Sequence, residues 1–403
     1  MKTITFGCRL NTFESKLIEQ IGSDMADVIV VNTCAVTSEA ERQCRQAIRK
    51  AHRENPNMKI IVTGCGAQLH PEEYAMMPEV YRVLGNHEKL SKEILEGDEK
   101  VCVGNIMEHN LTEAPLITDF EGRTRAFLQI QQGCDHACTF CIVHFARGKN
   151  IGLNPDKVIQ QANLFVQKGF AEIVLTGVDI TSYPYGFNQI VKRLATEVNG
   201  LKRLRFGSLD PACVDDELID IIAQYDVIQP HIHLSVQSGD NLILKRMGRR
   251  HSFEQVLHIC QSLSQKKDNM VFGADFITGF PTETEEHFLN TYRLVQEANI
   301  SQLHTFPYSI RKGTPAAKMP QVDVPVRKER AARLRELGHQ LENKLLSQMI
   351  GSVRPVLIEK IGQGYTDNYI KIKVNSNQTG QIIPVRIIGR SENELVGEVE
   401  IRA

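Results

Sequence analysis

Three cysteines in the run GCDHACTFC, Cys134, Cys138 and Cys141, constrain this chain more than any other feature. Spaced C-x3-C-x2-C, three thiolates hold three corners of an iron-sulfur cube, whereas an electron-transfer [4Fe-4S] site takes four cysteines, so one iron is left for an exogenous ligand. That is a catalyst's arrangement. A zinc site would need two C-x2-C or Cys/His pairs, which the run lacks. The loop follows the apolar run AFLQIQQ, and five more strand-like runs come after it: EIVLTGV, RLRFGSL, HIHLSVQ, MVFGADFITGF and LHTFPYS. Each but the last is followed by a segment of helical period, such as 155–168 or 253–266. Six β/α units predict a partial (β/α)6 TIM-like barrel, with its site in the loops at the strand C-terminal ends.

Upstream, one pattern occurs three times: an apolar run ending at a cysteine, in TITFGC, VIVVNTC and KIIVTGC. Strands alternating with helices read as βαβ units of a doubly wound parallel sheet, and such sheets gather functional residues at the carboxyl ends of their strands. Cys8, Cys34 and Cys65 lie at those ends. They therefore converge as a second three-cysteine metal site; the alternative is three separate buried thiols. Cys44, Cys102, Cys213 and Cys260 read as bystanders. With 403 residues, Lys+Arg 47 and Asp+Glu 48, bulk charge gives no support for nucleic acid, and only local patches could provide it. Ten cysteines and a start, MKTITFGC, without the apolar core of a secretory leader argue against disulfides. No apolar stretch approaches membrane-spanning length, so no membrane is expected and a reducing cytoplasm is.

The central loop resembles the signature of radical S-adenosylmethionine (SAM) enzymes. With GCRLNTFES, VNTCAVT and TGCGAQ around the first set, the whole chain resembles the methylthiotransferase family. The resemblance implies two [4Fe-4S] clusters: an N-terminal one on Cys8, Cys34 and Cys65 that carries the sulfur, and a catalytic one on Cys134, Cys138 and Cys141 that activates the substrate C–H bond. It also implies two SAM molecules per turnover, an electron donor such as flavodoxin or ferredoxin, and a sulfur source. Phe140 would pack near the adenine of SAM or anchor the loop. The segments TGVDITSY, HLSVQSG and GADFITGFPTETEE, in the family's order, make Gly177, Asp179, Ser208, Gln237, Ser238 and Asp275 cofactor contacts. Structural roles also fit them: a tight turn for Gly177, helix caps for Asp179 and Ser208, loop backbone for Gln237, Ser238 and Asp275. The chain departs from the family where IVHFARGKNIG replaces Ile-Ile-Pro and a later Arg-Gly-Arg-x-Arg-Ser. His144 stands for a proline, the second arginine is absent, and Thr282 occupies a position that is usually glycine.

The segment 326–349 predicts a long helix with Gly338 as a weak point. Its Arg327, Arg330, Arg333 and Arg335, like the KRMGRRH run at 245–251, either meet phosphate or form a solvated face. From 351 onward short β-rich runs predict a small antiparallel β-barrel. It resembles the RNA-binding TRAM domain. In GYTDNYIKIKV, Tyr365 and Tyr369 could stack on bases while Lys371 and Lys373 meet phosphates, or these residues could pack the barrel. The expected domains are 1–115, 120–350 and 351–403. Among the family's substrates the likeness points to N6-threonylcarbamoyladenosine beside the tRNA anticodon, whose adenine C2 hydrogen is replaced by a methylthio group. Isopentenyladenosine in tRNA and a ribosomal-protein aspartate are the alternatives within the family, and a non-enzymatic iron-sulfur carrier or RNA-binding adaptor is the alternative outside it.

Overall fold

The computed structural model describes residues 1–108, 116–117 and 123–400, so the expected boundary between 115 and 120 lies outside the described residues except for 116–117. The N-terminal sheet has five parallel strands in the order β1-β2-β3-β4-β5: β1 Lys2–Thr5, β2 Val28–Thr33, β3 Lys59–Gly64, β4 Arg82–Leu84 and β5 Val101–Cys102. In β2 every residue is buried, because both faces are covered. Ile29 and Val31 pack with Ile48 and Tyr74 on one face, while Val28 and Val30 meet Ile18 and Leu95 on the other.

The middle of the chain forms a partial barrel. Strand β6 (Arg125–Gln129) leads through β7 (Gln131–Gln132), the cysteine loop and β8 (Ile151–Gly152), and β7 and β8 pair antiparallel to close the base of the loop. Then come β9 Glu172–Thr176, β10 Arg203–Phe206, β11 Ser208–Leu209, β12 His231–Gln237, β13 Val271–Thr278 and β14 Ile300–Pro307. Strands β6, β9 and β10 form one parallel set and β11 to β14 another. Only Gly207 separates β10 from β11, so one chain run passes from pairing with β9 to pairing with β12. The six expected strands are thus all present, in order.

Alternation along these strands sorts their side chains. Leu128, Ile173, Leu204, Ile232, Leu234, Ala274 and Phe276 join the core under the helices. The intervening positions turn Arg125, Glu172, Arg203, Arg205, His231, His233 and Asp275 toward the barrel interior. The helix Val324–Met349 lies along β14, and Gly338 is buried where they meet. A Cβ there would come 3.0 Å from Leu303 Cδ1, so Gly338 is the point of closest approach and not the weak point expected.

The C-terminal barrel is closed in the order β15-β16-β17-β19-β18, from β15 Val353–Lys360, β16 Gln363–Thr366, β17 Lys371–Val374, β18 Ile382–Arg390 and β19 Leu395–Val399. All its pairs are antiparallel except β17 with β19. Its core of Val356, Ile358, Ile372, Val385, Ile387 and Leu395 is joined by Leu346 and Met349 from the long helix. It docks on the N-terminal ends of the parallel strands: Arg203 Nη2 donates to Pro355 O (2.7 Å) and Arg205 Nη2 to Asp367 O (2.6 Å). Among the described residues no helix is long and apolar enough to cross a membrane.

Candidate functional site

The loop carrying Cys134, Cys138 and Cys141 is fastened from several sides. Its thiols are all free. Cys141 N donates to Cys138 O (3.0 Å), His136 N reaches Cys134 Sγ (3.4 Å) and Cys134 N bonds Gly148 O (3.0 Å). The KRMGRRH segment, expected to meet phosphate or solvent, grips the loop instead. Thr139 N and Oγ1 bond the carbonyls of Met247 and Arg246, and Arg249 Nη1 lies 3.7 Å from Cys138 Sγ. Arg249 and Arg250 in turn both pair with Asp210. Burial alone would raise the Asp210 carboxyl, but His251, Arg249 and Arg250 hold it well below the carboxylate range. His144, where the family has proline, donates Nδ1–H to Cys134 O at 2.6 Å.

Burial pushes the Cys134 thiol up to about 12, with Asp179, Cys141 and Cys138 adding to the shift. Burial raises the Cys141 thiol as well, and gathered free thiols are what a cationic cluster would deprotonate and hold. Backbone amides aimed at sulfur suit the charge of such a group.

The expected cofactor contacts occupy the strand ends around this loop. Phe140 sets its edge against Phe280 (6.4 Å) and packs with Ile243 and Met247, anchoring the loop. Gly177 lets Gln131 close in: a Cβ would lie 2.8 Å from Gln131 Oε1, which accepts from Val178 N and Asp179 N. Asp179 pairs with His136 (2.9 Å) and accepts from Thr181 and Ser182, so it is tied to the cysteine loop. Ser208 shares a hydrogen bond with Ser235 (2.7 Å). Gln237 sits at φ +70 at an irregularity in β12, a conformation that costs a non-glycine residue about 1–3 kcal/mol. Ser238 is buried, its Oγ accepting from Asp240 N. Asp275 Oδ1 lies 3.1 Å from His233 Nε2 and 3.2 Å from His304 Nδ1, across three adjacent strands. Thr282 holds φ +72, which explains the glycine usual there. Arg246 Nη1 bonds its hydroxyl at 2.8 Å.

The second triad is assembled from three strand ends. Cys8 follows β1, Cys34 follows β2, and Cys65 opens the short helix after β3. Gly64 adopts φ +94, and any Cβ would lie 2.4 Å from Thr33 O, so only glycine lets the strands approach this closely. Burial pushes the Cys34 thiol up to about 12, and Cys65, Cys8 and Cys44 add to the shift, which marks their proximity. Cys44 Sγ accepts from Cys34 N (3.5 Å), so this supposed bystander supports the triad.

The largest surprise is Arg147. It ends the five-residue helix Val143–Arg147 that begins just after Cys141, and its guanidinium enters the other triad. Nε donates to Cys65 Sγ (3.1 Å), while Nη1 and Nη2 bond Glu14 and Asn11. Glu14 also pairs with Lys89 (2.6 Å), whose Nζ bonds Asn86 Oδ1 (2.7 Å). All five residues are at most 2 % exposed. Burial alone would raise the Glu14 carboxyl, but Arg147 and Lys89 hold it below its ordinary value. The only trace of this in the sequence was Arg147 itself, and nothing there named its partner.

Tyr365 and Tyr369 stack on each other (5.1 Å) in the seam between the two barrels. Arg125 covers both rings, and Arg205 lies over Tyr369. Their faces are occupied, so they close the seam and do not offer an open platform for bases. Lys371 and Lys373 are exposed and both pair with Glu394. On the long helix, Arg327 bonds the Tyr308 and Val322 carbonyls, and Arg330 and Arg333 pair with Glu283 and Glu285. Arg327 and Arg330 are buried, Arg333 is half-buried and Arg335 is exposed, so only part of the expected solvated face meets solvent.

Two family models match the chain, the radical SAM superfamily over residues 128–295 and the uncharacterized protein family UPF0004 over residues 1–85. The threonylcarbamoyladenosine tRNA methylthiotransferase MtaB of Rickettsia prowazekii is 47% identical over 96% of this chain and 95% of its own. The protein of that name from Bacillus subtilis is 38% identical, with 95% and 92% covered. A tRNA-2-methylthio-N(6)-dimethylallyladenosine synthase of Roseobacter denitrificans is 31% identical, with 97% and 96% covered. Among solved structures, the radical S-adenosylmethionine methyltransferase TsrM from Kitasatospora setae superposes with a TM-score of 0.58 at 13% identity, covering 79% of this chain and 77% of that one. That likeness concerns the fold. Identity across nearly the whole length is a stronger statement, and on it the chain belongs to the radical SAM tRNA methylthiotransferase family.

Proposed function

We propose that this enzyme converts N6-threonylcarbamoyladenosine beside the anticodon of tRNA into its 2-methylthio derivative, exchanging C2–H for C2–SCH3. The observation that carries the reading is the pair of three-cysteine sets joined by the helix Val143–Arg147, together with a relative of that printed name at 47% identity. When bound, two [4Fe-4S] clusters and two SAM molecules per turnover would supply the radical that removes the hydrogen and the methylated sulfur that replaces it.

The chain's own residues have separable tasks. Cys134, Cys138 and Cys141 hold the catalytic cluster, and Cys8, Cys34 and Cys65 hold the one that bears sulfur. Phe140, Gly177, Asp179, Ser208, Gln237, Ser238 and Asp275 shape the strand-end rim over which SAM lies, Asp179 through His136 and Gly177 through Gln131. Lys371 and Lys373 exchange Glu394 for tRNA phosphates, at a cost kept small by their exposure. Domains 1–115, 120–350 and 351–403 then carry sulfur delivery, radical chemistry and RNA contact. A flavodoxin or ferredoxin supplies electrons, a separate source supplies sulfur, and the cytoplasm is the site of action.

Mass spectrometry of nucleosides from total tRNA of a strain lacking the gene tests this. The 2-methylthio derivative of threonylcarbamoyladenosine should disappear and its precursor accumulate. An unchanged profile, in a strain whose parent makes that nucleoside, would overturn the reading. Loss of the isopentenyl derivative instead would reassign the substrate.

A further inference from the structure

The interior of the parallel barrel holds more positive charge than it neutralises. Arg125 pairs with Glu359 and lies 3.8 Å from Glu172, and Arg203 (3.7 Å) and Arg205 (2.9 Å) share that same Glu172. Arg205 gives Nη2 to the carbonyls of Thr366 and Asp367 and keeps Nη1 without a hydrogen-bond partner, although it is only 3 % exposed. A fourth guanidinium arrives from the N-terminal sheet. Arg9, the residue after Cys8, reaches across to Phe206 O at the end of β10, a long 3.5 Å contact that is the one hydrogen bond of its side chain among the described residues. Phe206 directly follows Arg205 on β10, so Arg9 meets that strand one residue beyond Arg205, and burial, then Arg205, His233 and Arg9, hold His231 well below the usual imidazole value. Asp275, the nearby acid, is already engaged by His233 and His304. Among the described residues, four guanidiniums thus stand against three carboxylates, Glu172, Glu359 and Asp275. Buried cations with open donors are costly until an anion meets them.

We infer that the barrel lumen contains an anion subsite, with Arg9 as its clamp and Arg205 Nη1 as a second donor, that takes the carboxylate of the N6 substituent on the substrate adenine. The inference rests on the proposed function, since threonylcarbamoyl carries the only anionic group on such a base. A guanidinium meets a carboxylate with paired, charge-assisted hydrogen bonds. An apolar prenyl substituent would leave the buried Arg205 Nη1 unpaired and give the half-buried Arg9 no partner, and a buried donor left unpaired is the strongest form of rejection a pocket has. Because Arg9 adjoins Cys8, the residue that reads the substituent and a residue of the sulfur-bearing triad are placed by the same turn. Tail recognition and sulfur delivery are therefore set in register.

The test uses full-length, cluster-loaded enzyme and anticodon stem-loop RNAs bearing threonylcarbamoyladenosine, its methyl ester or isopentenyladenosine. Arg9→Gln should raise KM for the acid by about 10–100-fold, the worth of a charged hydrogen bond, with a smaller change in kcat. Arg9→Lys should recover part of it. The ester should cost the wild type a similar factor and Arg9→Gln little more, because the interaction is already gone. Equal losses by Arg9→Gln on acid and ester, or a wild type that does not distinguish them, would overturn the subsite while leaving the proposed function standing. A wild type inactive on the acid but active on isopentenyl RNA would overturn the function and the subsite with it. Should Arg9→Gln fail to load iron, the wild-type comparison of acid and ester decides alone.

Discussion

The two cysteine triads reach the same donor set by opposite routes. Cys134, Cys138 and Cys141 are neighbours in sequence, and the fold's work is to immobilise one short loop, using Met247, Arg246, Arg249 and His144 as clamps. Cys8, Cys34 and Cys65 are far apart, and the parallel sheet does the gathering; the remaining work is electrostatic and falls to Arg147, Glu14 and Lys89. A loop triad tolerates exposure because its geometry is local. A strand-end triad depends on every element that sets the sheet edge, so it is the more fragile of the two, and its main cationic support is lent by the other triad's loop.

The sharpest break comes from the ligands. Cys138→Ala should abolish 5′-deoxyadenosine formation from SAM while leaving the iron bound by the N-terminal set, and Cys34→Ala should do the converse, keeping SAM cleavage and losing sulfur insertion. Iron analysis and product assays on both variants check this, and full insertion by Cys34→Ala would dissolve the distinction. Next in size is Glu14→Ala. It strands Arg147 and Lys89 as buried charges, a change that costs about 3–5 kcal/mol. Denaturant unfolding should show that loss, with iron leaving the N-terminal set first. Equal loss from both sets would mean that the buried network serves the whole fold.

The smallest effect concerns the loop clamp. Asp210→Asn removes the partner of Arg249 and Arg250 and should cost about 2 kcal/mol at neutral pH. The folded Asp210 carboxyl is depressed, so its contribution is complete above the unfolded value of about 4 and is lost as pH falls through the folded one. The stability gap between wild type and Asp210→Asn should therefore hold from pH 7 to about 5 and narrow below about 4. A gap that stayed constant to pH 3 would remove Asp210 from the account.

Much of this architecture was legible from the chain. Strand-like runs ending at Cys8, Cys34 and Cys65 located three of the first sheet's five strands, and six further runs located the barrel, because period-2 and apolar patterns report burial directly. Positions whose role depends on a distant partner were not legible. Tyr365 and Tyr369 look like base-stacking residues until Arg125 and Arg205 are seen to cover them. Arg327 and Arg330 look solvated until the Tyr308 carbonyl and Glu283 meet them. Thr282 looks like a random departure until its φ of +72 and its bond to Arg246 are known.

By itself the sequence determined the donor atoms, their local spacing and the strand and helix periods, since these follow from side-chain chemistry and from short-range backbone geometry. Only the tertiary structure decided which arginine faces which sulfur, that Arg9 enters the barrel, and that the second barrel plugs the first. Charged side chains carry no periodic signal of their targets. Their pairing is settled by which buried groups would otherwise be left without a partner.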